Sequence, residues 1–254
     1  MGKAAEFRQR LRERQPMMGT FLKTPSPIVA EVLGLSTLDC VCVDAEHAPF
    51  GPMELDGVIA AFRAADMPVV VRVRTTTAGE VLSALDCGAT GIIAPHIFNA
   101  DQARELVRFS HYGLGGRGYA GSSRSARYTT RPMAEHIQLS GNTTTVIAQI
   151  EDAEALENID DIAAVEGIDC LFIGRMDLTV SLGAVTPKDQ IVLDAVNKIC
   201  EVGHRHGKTV GMFFPAGEVV SQWAEKGATF FLLGSDHQFL LDGAKSLASR
   251  LTDD

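Results

Sequence analysis

One stretch, Thr144 to Gly183, restricts the fold more than any other. It reads as an apolar run (Val146 to Ile150), a segment of helical spacing (Ala153 to Val165) and a second apolar run (Ile168 to Ile173). In the middle segment Ala155, Leu156, Ile159, Ile162 and Ala163 fall on one side, the spacing of an amphipathic helix. A strand–helix–strand of this length is a parallel crossover, so its two strands point the same way. Glu151 follows the first strand directly, and Asp177 stands three residues beyond the break at Gly174. Both acids therefore emerge at one edge of one sheet. Paired carboxylates there suit a hard divalent cation, which takes oxygen ligands. They would equally suit the N-termini of the helices that follow.

The same unit recurs along the chain. Further strands are expected at Met17 to Leu22, Leu38 to Val43, Val69 to Val73, Gly91 to Ala94, Thr209 to Phe214 and Thr229 to Leu233. Helices are expected at Pro27 to Leu33, Glu54 to Ala65, Thr77 to Leu85, Ala100 to Phe109, Gln190 to His206 and Glu218 to Lys226. A closing helix is expected at Ser235 to Leu251, with Leu240, Ala244, Leu247 and Leu251 on one stripe. Eight β/α units in 254 residues, with no linker, predict a single (β/α)₈ TIM barrel spanning 1–254, with an insert loop at about 111–134. A doubly wound sheet would advertise a glycine-rich turn after its first strand; this turn is Leu22-Lys23-Thr24-Pro25.

Composition narrows the function. The net charge of −9 argues against nucleic acid and anionic membranes as partners, and no apolar run reaches spanning length. The N-terminal segment is a charged helical lead-in without the apolar core of a signal peptide. Five cysteines, an odd number lying mostly in apolar runs, read as thiols of a reducing cytoplasm. Cys40 and Cys42 are too closely spaced, within one strand, for a zinc knuckle.

In a barrel of this kind the C-terminal strand ends carry the active site. Here they present Lys23, Asp44, Glu46, His47, Arg72, Arg74, His96, Glu151 and Asp177. Side chains alternate along a strand, so Gln149 shares a face with Glu151, and Cys40 and Cys42 share one with Asp44.

The segments VDAEHAPF, PVVVRV, LDCGATGIIAP, DQARELV, QIEDAEALENIDDIAAVEGIDCLFIGRMDL and SLG, in this order, resemble the HpcH/HpaI aldolase family. The likeness runs from about Met18 to Gly234, and the ordered set is far more specific than any one motif. It implies a metal-dependent (class II) aldolase that cleaves a 4-hydroxy-2-keto acid reversibly into pyruvate, or an analogue, and an aldehyde. By the same resemblance Glu151 and Asp177 hold the divalent metal (Mg²⁺, Mn²⁺ or Co²⁺). Arg72 holds the keto or enolate oxygen, and His47 is the acid–base residue, oriented or tuned by Asp44 and Asp86. Gln149 belongs to the site, and the backbone of Gly174, Arg175, Met176 and Asp177 receives the substrate carboxylate. The resemblance also implies a homo-oligomer, a trimer or hexamer, with the closing helix exchanged between subunits.

Three positions depart from the family pattern: Arg175 stands where proline is usual; His96 stands where a less basic residue is expected, as a substrate contact, a further metal contact or a plain rim histidine; and Lys23 ends the first strand. Lys23 keeps open a Schiff-base aldolase. A citryl-CoA-type acyl lyase and a non-catalytic binding barrel also compete with the metal-dependent aldolase for this fold. The 111–134 segment contains Arg117, Arg124, Arg127 and Arg131 and no acid; it is either a solvated or subunit-bridging loop or, by climbing the wall or entering a neighbour's pocket, part of the aldehyde side, with Arg117 or Arg124 selecting an anionic acceptor.

Overall fold

The structure, a computed structural model, describes residues 2–215 and 220–250. Eight strands close on themselves: β1 (Met17–Leu22), β2 (Cys40–Asp44), β3 (Val69–Arg72), β4 (Gly91–Ala94), β5 (Thr145–Ile150), β6 (Cys170–Ile173), β7 (Thr209–Phe214) and β8 (Ala228–Ser235). They pair in sequence order, all parallel, and β8 returns to β1. Around them run α1 (Lys3–Arg12), α2 (Pro27–Gly34), α3 (Pro52–Ala64), α4 (Ala78–Cys87), α5 (Ala100–Ser110), α6 (Met133–Thr143), α7 (Ile159–Ala164), α8 (Arg175–Ser181), α9 (Gln190–Arg205), α10 (Ser221–Ala224) and α11 (Asp236–Ser249).

Strand parity sorts the core into two layers. Val41, Val43, Val71, Ile92, Val146, Ala148 and Leu171 face outward and join the buried sides of the helices. Cys40, Cys42, Val70, Ile93, Ile147, Cys170 and Phe172 face inward and fill the lumen. The next inward positions up these strands are Asp44, Arg72, Gln149 and Glu151. A polar layer thus rests on an apolar plug, which strips it of water from below.

The charged N-terminal lead-in turns out to be part of that plug. Phe7 and Leu11 of α1 belong to the lumen cluster, and Phe7 meets Phe230 edge-on at 6.1 Å between ring centres. Arg8, also buried, donates from Nε to Asp169 Oδ2 at 3.0 Å, and Asp169 accepts the Val146 N–H at 3.0 Å. Removing one partner of a buried ion pair strands the other charge, so Arg8→Met is expected to lower unfolding stability by about 3 kcal/mol. Denaturant titration checks this; an unchanged midpoint would make α1 a mere appendage.

The outline differs from the sequence expectation in several places. The segment expected as one helix from Ala153 to Val165 is a 3₁₀ turn (Ala153–Leu156) followed by α7. Asn158 stands at the break, and its amide donates to the Phe98 and Glu154 carbonyls, local bonds that compete with a continuous helix. Helices α6 and α8 were not anticipated: α6 buries only His136 and Ser140, α8 only Leu178 and Thr179, so neither shows an apolar stripe. Glu218 and Leu251, the expected first and last residues of two helices, lie outside the described residues.

Candidate active site

At the C-terminal strand ends a cavity of ≈340 Å³ opens, lined by Lys23, His47, Arg72, Gln149, Arg175 and Asp177 over the rings of Phe21, Phe172 and Phe213. Asp44, fully buried, organises one wall. Its Oδ1 accepts from Arg72 Nε at 3.0 Å, with Arg72 Nη2 at 2.9 Å, and its Oδ2 lies 2.9 Å from Lys23 Nζ. Burial works to push the Asp44 carboxyl up, but Arg72, Lys23 and the His47 N–H together hold it below the usual carboxylate range. Arg72 is fixed again by Glu46 Oε2 at 3.2 Å and by stacking 4.7 Å over the Phe21 ring. Burial opposes its charge, yet Asp44, Cys42 and Glu46 leave it more firmly protonated than usual. Lys23 is held from behind: Asp236, the first residue of α11, accepts the N–H groups of Lys23 and Thr24 at 2.7 and 3.0 Å.

Beside Arg72 the mouth is acidic. Glu151 is buried at the end of β5; Gln149 Nε2 donates to its Oε2 and the His96 N–H to its Oε1 at 2.9 Å. Burial pushes the Glu151 carboxyl up despite these bonds. Glu46 is likewise pushed up, by burial first, with Arg72 and His96 only partly offsetting it. Gly174 is required at the turn into α8, because a Cβ there would lie 2.5 Å from Glu151 Oε2. Asp177 stands in the first turn of α8, lines the cavity and acts electrostatically on Glu46. One ligand atom each from Glu46, His96 and Glu151 lies within 4.8 Å of the others, a donor set that fits a divalent cation.

The structure therefore brings together His47, Arg72, Asp44, Gln149, Glu151 and the 174–177 turn. It departs from expectation for the partners of His47. Asp44 accepts the His47 main-chain N–H at 3.1 Å, not its ring, and the ring Nε2 lies nearest Glu46, at 3.8 Å. Asp86 stands at the end of α4, the opposite end of the barrel, and receives Arg117. Within one chain it does not reach His47, because the end of α4 feeds the start of β4.

The basic 111–134 segment likewise stands away from the mouth of its own barrel. Arg117 is buried, stacks 4.7 Å over Tyr112, and lines a second cavity of ≈300 Å³ with Thr90 and Thr144, the residues that precede β4 and β5. Arg124 donates to Asp56 of α3. In one chain neither arginine lines the mouth. Arg175 does line it, beside Lys23 and Arg72, and its guanidinium lies 4.5 Å over Phe214 and 5.5 Å over Trp223. Glu46 is the residue sequence reasoning left without a role. Its only signal was its place between Asp44 and His47.

A TIM barrel whose mouth holds a buried arginine among carboxylates suits carbon–carbon lyase chemistry, and its relatives give the class. The HpcH/HpaI aldolase/citrate lyase family model matches residues 17–242, and the chain belongs to that family. It is 33% identical over 243 residues to a hydroxypyruvate/pyruvate aldolase of Paraburkholderia phytofirmans, covering 92% of this chain and 93% of the relative. It is 31% identical to a 5-keto-4-deoxy-D-glucarate aldolase of Shigella boydii, covering 96% and 95%. An HpcH/HpaI aldolase/citrate lyase family protein from Burkholderia cenocepacia superposes with a TM-score of 0.92 at 31% identity, covering 98% of this chain and 99% of that one.

Proposed function

We propose that this protein is a divalent-metal-dependent aldolase that cleaves a 4-hydroxy-2-keto acid reversibly into pyruvate, or a close analogue such as hydroxypyruvate, and an aldehyde. The observation that carries the reading is the mouth itself: Arg72, fixed at three points, is paired with Glu46, whose neighbours include the buried Glu151 and the cavity-lining Asp177. Glu151 and Asp177 would hold the ion, and Mg²⁺, Mn²⁺ and Co²⁺ suit their oxygen donors. When bound, the ion supplies Lewis-acid stabilisation of the negative charge that cleavage leaves on the pyruvyl fragment.

The chain's own residues do the rest. Arg72 offers a planar, always-charged donor to the keto oxygen, aimed by Asp44 and Phe21 before substrate arrives. His47, half-exposed at the mouth, takes the 4-hydroxyl proton as the carbon–carbon bond breaks and returns a proton in the reverse direction. The first turn of α8 presents main-chain N–H groups, which a helix start leaves without intrahelical partners, to the substrate carboxylate. Phe172 and Phe213 exclude water from the reacting carbons.

The Schiff-base alternative needs an unpaired, desolvated amine. Lys23 is instead ion-paired with a fully buried carboxylate. Pyruvate and hydroxypyruvate, tested against a panel of aldehydes with and without Mg²⁺, Mn²⁺ and Co²⁺, are expected to give aldol product only with metal. Full activity in excess chelator, with a borohydride-trapped adduct on Lys23, would transfer the reaction to the Schiff-base class.

We also propose a homo-oligomer, a trimer or hexamer. Along α11, Phe239, Leu240, Leu241 and Leu247 are 40–64% exposed, and Asp236 is the helix's one buried residue, so this stripe is not covered by its own barrel. A second copy is the cover we assign to it. Sedimentation at micromolar concentration is expected to give a mass well above the 27.2 kDa chain; a monomer would remove the idea. Five free thiols, four of them buried, suit a reducing cytoplasm.

A further inference from the structure

We infer that His96 is a nitrogen ligand of the ion held at Glu151, with Glu46 as its oxygen neighbour, and that it turns the site from magnesium toward manganese or cobalt. This rests on the metal-dependent reading above and adds a residue type to it.

His96 follows Pro95 just past β4 with a left-handed backbone, φ +54°, a conformation uncommon for a side chain of this size. That backbone aims two groups at the acidic wall. The main-chain N–H reaches Glu151 Oε1 at 2.9 Å, and the ring extends across the mouth. Its Nδ1 lies 3.1 Å from Asp152 Oδ2, while Nε2 faces Glu46 Oε1 at 3.9 Å. With the Nδ1 proton given to Asp152, the lone pair sits on Nε2, on the Glu46 side of the ring, while Nδ1 stands 3.5 Å from Glu151 Oε1. A carboxylate behind one ring nitrogen and an ion in front of the other is how metal-binding histidines are oriented.

The spacing agrees. Ligand atoms from the three residues lie within 4.8 Å of one another. Ligands at 2.0–2.2 Å from a common centre stand about 3 Å apart when adjacent and about 4.4 Å when opposed, so side-chain closure of at most about 1–2 Å suffices. A separate observation comes from Gln149, 1% exposed and lining the mouth: its Oε1 has no hydrogen-bond partner among the described residues, an acceptor left over beside the site. Imidazole adds little for Mg²⁺, which prefers oxygen, and more for first-row transition ions. The competing account is that His96, as an imidazolium, merely neutralises Glu46, Glu151 and Asp152. The two accounts predict opposite effects of removing the ring.

The test uses the full chain, stripped of metal and loaded with Mn²⁺. Pulsed electron paramagnetic resonance is expected to show nitrogen coupling to Mn²⁺ in the wild type and in His47→Ala, and none in His96→Asn. Asparagine tolerates the left-handed backbone, so the turn is kept. Competition titrations are expected to show the preference for Co²⁺ over Mg²⁺ falling about tenfold or more in His96→Asn, and Co²⁺ affinity falling in Asp152→Asn, within the roughly 10–100-fold range for lost outer partners. Mn²⁺ bound without nitrogen coupling, coupling that vanishes with His47 instead, or tighter metal binding by His96→Asn would each overturn the inference and leave the aldolase reading intact. No Mn²⁺ bound by the wild type would sink both.

Discussion

Glu151→Gln and Asp177→Ala are each expected to lower aldol turnover about a thousandfold, roughly 4 kcal/mol of transition-state stabilisation, and chelation is expected to match them. The two positions act differently. Glu151 is buried and already gripped by Gln149 and the His96 N–H, so it loses little freedom when a cation arrives. Asp177 sits on a short helix whose first turn also faces the substrate, so its loss is expected to raise KM as well as lower kcat. Single-turnover rates with saturating Mn²⁺ separate the effects. A Glu151→Gln enzyme within tenfold of wild type would remove the acidic wall from the chemistry.

His47→Ala and Arg72→Lys are expected to fail in separable ways. Without His47 the proton-transfer steps slow by about 10²–10⁴-fold, while pyruvate and metal still bind, because the ring touches neither Asp44 nor Glu151. Lysine at position 72 cannot satisfy Asp44 and Glu46 together from one planar fork, so both enolate formation and keto-acid affinity suffer. Exchange of the methyl protons of pyruvate into deuterated water reports the first step without any aldehyde. If His47→Ala exchanged those protons and cleaved aldol at wild-type rates, the base would have to be sought elsewhere, with Glu46 next to it.

The barrel was legible because buried parallel strands are short apolar runs bounded by breaks, and this chain repeats them evenly. Glu151 was legible for a geometric reason: it lies one parity step above Gln149 and directly ends its strand. The elements missed were those whose burial is polar. Helix α6 packs through His136 and Ser140, and α8 opens on Gly174-Arg175, with no stripe for periodicity to find. The convergence of Glu46, His96 and Glu151 was illegible for another reason. Three strand ends supply it, and the left-handed turn at His96 that aims the ring leaves no trace in composition. Asp86 rested on the family resemblance alone; within one chain the end of α4 lies at the opposite end of the barrel from His47.

Asp236 gives the barrel a mechanical linkage. The residue that opens α11 also clamps the two main-chain N–H groups behind Lys23, and Lys23 in turn holds Asp44, the anchor of Arg72. The lever is α11, largely exposed beyond its first turn; the load is the guanidinium at the mouth. The start of that helix is therefore tied to one wall of the site through Asp236, Lys23, Asp44 and Arg72 in turn.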